Sequence, residues 1–92
     1  MQRIANRSYV VAKTVSDSSP TTLTPGETGR DALIIQNDLG VLYVKLGLEA
    51  STTNFTYRLS SRCVLDVDPS WTGPVSAIKG IGTGTVLVTQ TV

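Results

Sequence analysis

The chain contains no histidine. That removes the commonest general base, metal ligand and pH switch, and makes a Ser-His-Asp triad impossible. Cysteine is nearly absent as well. The single Cys63 can form no internal disulfide and no zinc site by itself, and its expected place is a buried strand position. Charged residues are 16% of the chain, against roughly 25% in an average soluble domain. The net charge is +1 and the basic residues are scattered. This argues against a nucleic-acid binder that works by phosphate neutralisation. No window approaches the roughly 18 consecutive apolar residues of a membrane span. Met1 to Asn6 carries no apolar leader, so the sequons Asn6-Arg7-Ser8 and Asn54-Phe55-Thr56 read as coincidental. No cofactor motif appears.

What is present is Thr, Ser, Val and Gly. A chain of 92 residues is one domain. It buries roughly 60–65% of the surface that its unfolded form exposes, enough to fold without a wide margin. A surface of hydroxyls rather than charges suits β-structure, or a surface that partners cover.

Short β-branched and aromatic runs follow one another along the chain. YVVAKTV, at 9–15, reads as a strand. SDSSPTTLTPGETG, at 16–29, reads as loop, with 21–24 extended at most. Residues 1–29 therefore look like a strand on an extended arm, able to pair at home or reach a neighbour, ahead of a β-core over 30–92. DALIIQ at 31–36, the turn Asn37 to Gly40, and VLYVKL at 41–46 read as a β-hairpin. Its alternation puts Leu33, Ile35, Leu42, Val44 and Leu46 in the core and Val41, Tyr43 and Lys45 outside. A polar connection at 48–54 leaves room for one helical turn. Further strands follow at 55–59, 63–67, 75–79 and 85–91. Val86 and Val88 face inward, and Thr85, Leu87 and Thr89 outward. About seven short strands with regular turn signals predict an all-β fold, a small antiparallel sandwich or barrel.

The candidate sites are few. Gly80-Ile81-Gly82-Thr83-Gly84 lies between two strands, whereas a phosphate loop leads into a helix, so it reads as a loose hairpin turn. Asp66 and Asp68 are too few oxygens for calcium and read as a solvated sheet face; on one strand they cannot flank a sugar from two sides. A Ser-Lys dyad with Lys13, Lys45 or Lys79 has no supporting spacing. Trp71 is either a lid over one end of the core or an exposed anchor for a subunit or a sugar ring. The composition points away from an enzyme.

From Arg30 onward the sequence resembles a pattern in small virion proteins of tailed bacteriophages. The matching stretches are Arg30, Ile35-Gln36-Asn37, Leu42-Tyr43-Val44-Lys45, Gly47, Ala50-Ser51-Thr52-Thr53 and Phe55 to Leu59. Leu23-Thr24-Pro25-Gly26, the WTGPVSAI segment at 71–78 and the closing TVLVTQ are similar to parts of the same pattern. The resemblance spans about residues 20–91 and departs at Ser60 to Asp68, where a longer Gly-rich loop is usual. It implies a β-sandwich module of the phage particle, made in the bacterial host cytoplasm. A capsid cement or decoration protein is the leading expectation, and a receptor- or glycan-binding fibre or tail module, or a head–tail connector piece, the alternative. Its partners would be the major capsid protein or other virion subunits and further copies of itself, a trimer favoured, suiting threefold positions, and a dimer possible at twofold ones. Tyr9, Val11, Leu23, Tyr43, Lys45 and Trp71 are the expected contact residues.

Overall fold

A computed structural model describes residues 8–91. They form eight strands: β1 (Ser8–Ser16), β2 (Thr21–Thr24), β3 (Ala32–Asn37), β4 (Leu42–Leu46), β5 (Tyr57–Leu59), β6 (Val64–Val67), β7 (Val75–Lys79) and β8 (Thr83–Thr91). Two four-stranded antiparallel sheets stack face to face. Sheet I runs β1-β8-β3-β6 and sheet II runs β2-β7-β4-β5. The first strand pairs with the last, the second with the second-last, and so inward to β4 with β5. A long antiparallel ribbon wrapped in this way is an eight-stranded jelly roll.

The core is the space between the sheets. Sheet I contributes Val15, Leu33, Ile35, Val67, Val86 and Val88; sheet II contributes Leu23, Leu42, Val44, Leu59, Val75 and Ala77. Strict alternation builds it, since every second residue of a strand points to the same face. Leu46 and Leu65 pack on its margin, half-buried. Cys63 is half-buried too, and it stands just ahead of β6 rather than within it.

The topology corrects two expectations. The 33–47 stretch is not a hairpin: β3 belongs to sheet I and β4 to sheet II, so Asn37 to Gly40 arches over one end of the sandwich. The 80–84 turn is likewise an arch, from β7 in sheet II to β8 in sheet I. Two alternating runs around a short turn look alike in sequence whether they pair laterally or face each other across a core. Of the two options open to the N-terminal segment, its strand pairs at home: β1 pairs with β8 over all nine of its residues, and β2 joins sheet II, so both belong to the sandwich. Residues 1–7 of the expected arm lie outside the described residues.

Buried polar groups lock both ends. Lys79 is 1% exposed, and its Nζ donates to Asn37 Oδ1 at 2.8 Å and to the Leu39 carbonyl. The Asn37 amide in turn donates to Gly40 O at 2.7 Å and Ser60 O at 2.9 Å. The two side chains thus tie the β3–β4 arch to the β5–β6 turn and to β7. A Cβ at Gly84 would sit 2.7 Å from Lys79 Cε, so a larger residue there would have to displace the hydrogen-bonded end of the lysine. Burial lowers the Lys79 pKa, and the nearby Asp38 charge partly restores it. At the other end Arg30 donates to Trp71 O at 2.7 Å and Gln90 Oε1 at 3.2 Å.

Candidate interaction surface

The outer faces of the two sheets differ. On sheet II the chain covers itself. The β4–β5 connection crosses the face, and Ala50 N–H donates to Ser76 Oγ at 3.0 Å. Ser76 is 1% exposed and Ile78 8%, although both point away from the core. The same connection brings Phe55 edge-on to Tyr43, with ring centroids 4.8 Å apart and planes at 64°. The expected polar connection is therefore a cover.

Sheet I has no such cover among the described residues. Its outer face carries two rows that cross all four strands: Val10, Thr89, Ile34 and Asp66, then Ala12, Leu87, Gln36 and Val64. Val10 is 63% exposed, Val64 62% and Leu87 37%. Asp66 is the sole charge in these rows. An open groove of about 380 Å³ runs along one end of the face, between Gln36, Asp38, Arg62, Val64, Thr85 and Leu87. Single exposed apolar residues are ordinary, but a contiguous, nearly uncharged sheet face is the kind of surface that partners cover.

β1 forms one edge of this sheet. Tyr9, Val10 and Val11 are all exposed, so both faces of the strand reach solvent over its first half. Of the sequence-expected contact residues, the structure brings Tyr9 and Val11 together here. The others lie elsewhere. Leu23 is 3% exposed in the core and offers no partner a surface, because β2 turns its inward face onto the sandwich. Tyr43 lies half-buried beneath Phe55 on sheet II. Lys45 is half-buried on that same face, its aliphatic stem against Gly47. Trp71 is the lid: its ring lies over Gly73, its indole N–H donates to Pro74 O at 3.0 Å, and it packs on the core margin.

Among the described residues no cluster of three or more Cys, Asp or Glu could hold a metal. Asp68 caps its own turn, accepting from Ser70 N–H at 2.9 Å, which holds its carboxyl below the usual range. Sequence reading missed the outer-face residues Val10, Ile34, Val64 and Leu87 as a set. Their strands are distant in the chain, so only the sheet order places them side by side.

No protein-family model, curated protein or solved structure matches the chain.

Proposed function

We propose that the chain is a non-enzymatic structural module of a tailed-phage particle, a cement or decoration protein that docks on the capsid through the outer face of sheet I. The observation that carries the reading is the contrast between the faces: sheet II wears a cover of its own chain, and sheet I presents two low-charge rows across four strands. The phage-virion pattern in the sequence supports the same reading. Jelly rolls serve in viral capsids and in lectins alike, so the fold by itself favours neither.

The reading does not require tight binding by one copy. Many copies on a symmetric shell act together, and a bridge between neighbouring capsid subunits converts each second contact into an intramolecular one. A glycan-binding fibre module is the competing reading. It needs an open aromatic platform; here Tyr43 and Phe55 meet edge-on, Trp71 is tucked in, and the exposed Phe55 and Tyr9 rings lie on different sheets.

The test is addition of the purified protein to capsids that lack it. The reading expects saturable binding and a higher disruption temperature for the decorated shell. Absence of both, with a clear hit on a glycan array, would replace it with the fibre reading.

A further inference from the structure

We infer that β1 is a self-pairing edge: two copies of the chain join β1 to β1 antiparallel about a two-fold axis at Val11, merging two sheets I into one continuous eight-stranded sheet.

Exposed strand edges invite pairing, and proteins blunt them with shortness, bulges, prolines or charges. Three of the four edges here are blunted. β2 has four residues, a register shift between Thr22 and Thr24, and Pro20 and Pro25 close by. β5 has three residues, with Arg58 at its centre. β6 has four, with Asp66 within and Pro69 just beyond. β1 has only one of these devices, a lone charge, on a strand more than twice as long as any of the other three edges. It is nine residues long, regular in register throughout, and free of proline; its single charge is Lys13.

The hydrogen-bond pattern says which groups face that edge. Asn37 N–H donates to Cys63 O, so Asn37, Ile35 and Leu33 bond toward β6. Alternate residues bond to opposite sides. Ala32, Ile34 and Gln36 therefore bond toward β8, where they meet Thr91, Thr89 and Leu87. The intervening Gln90, Val88 and Val86 bond toward Tyr9, Val11 and Lys13 of β1. Ser8, Val10, Ala12 and Thr14 are thereby directed at the open edge. Thr21 Oγ, which donates to Thr14 O at 3.5 Å from the β2 side, agrees with this.

The occupant that fits is a second copy. A two-fold axis perpendicular to a sheet allows only registers in which one residue meets its own copy. With the axis at Val11, Val11 faces Val11, Val10 exchanges backbone bonds with Ala12, and Lys13 lies beside the ring of Tyr9, a cation–π pairing. No like charges oppose one another from Ser8 to Thr14. Both bare outer faces then point the same way, which doubles the surface offered to a shell. This favours a dimer over the threefold assembly that the sequence resemblance favoured. The inference stands apart from the capsid reading, and the two fail separately, since the dimer is measured with no shell present.

Sedimentation equilibrium of the full chain at about 100 µM tests it, and a species of twice 9.8 kDa is expected. Val10→Pro removes an N–H that faces the open edge and leaves the β8 ladder whole, so it should return a folded monomer. In a Cys63→Ser background, Val11→Cys should form a disulfide-linked dimer on mild oxidation, because directly opposed non-hydrogen-bonded positions come close. Val10→Cys, which meets Ala12 on the opposite face, should not. A wild-type monomer at that concentration, an oligomer indifferent to Val10→Pro while circular dichroism shows a folded variant, or faster linkage through Val10→Cys would each overturn the proposal.

Discussion

Sheets I and II share a core and a strand count, yet they treat their outer faces in opposite ways. Sheet II lays the β4–β5 connection against Ser76, and both Ser76 and Ile78 are buried on its outer face. Sheet I leaves Val10, Val64 and Leu87 in water. A connection that covers one sheet is chain that covers nothing on the other. The asymmetry separates what holds the fold together from what is available to a partner. Substitutions at sheet II should cost stability, and those at sheet I should leave stability alone and change association.

The largest effect is expected where both sheets meet. Lys79→Ala leaves Asn37 Oδ1 and the Leu39 carbonyl without their shared donor and opens a void beside Gly84. Chemical denaturation should show a loss of about 2–4 kcal/mol. Next comes the cover of sheet II. Ser76→Ala strands the buried Ala50 N–H, at a cost of about 1–2 kcal/mol. Phe55→Ala removes the ring from Tyr43, at about 1 kcal/mol, and a rise in tyrosine solvent accessibility should accompany it.

A pH series sharpens the account of Lys79. Its folded pKa lies below its unfolded value, so between the two the unfolded chain holds more protons. Stability should therefore rise with pH as the ordinary lysine pKa is approached from below. Lys79→Met should flatten that part of the profile relative to wild type. The smallest stability effects belong to sheet I: Val64→Ser and Leu87→Ser should stay within about 0.5 kcal/mol of wild type. A drop comparable to that of Ser76→Ala at either position would break the contrast between the sheets.

Much of the fold was legible residue by residue. Alternation placed Leu33, Ile35, Leu42, Val44, Val86 and Val88 in the core because a strand's period is two whatever lies beside it. Pairing was not legible. Asn37 to Gly40 has the turn chemistry of a hairpin, but Asn37 is 4% exposed and spends its side chain on Gly40, Ser60 and Lys79, which suits an arch between sheets. Buried cations were equally hidden. Lys79 and Arg30 carry charge, and only the arrangement of carbonyls around them explains their burial. The outer face of sheet I was not legible. Tyr9 and Val11 are exposed, but they share the side of the sheet that carries Val86 and Val88. Val64 and Leu87 gained meaning only once β8 and β3 lay between β1 and β6.

One measurement bears most directly on the proposal that sheet I is the docking face. It compares two variants of equal stability for binding to capsids that lack the protein. Val64→Arg with Leu87→Arg places two charges on sheet I, and Lys45→Glu with Arg58→Glu reverses two on sheet II. The account predicts that the sheet I pair loses shell binding by on the order of a hundredfold, while the sheet II pair binds as wild type. Full binding by the sheet I pair, with loss confined to the sheet II pair, would contradict it.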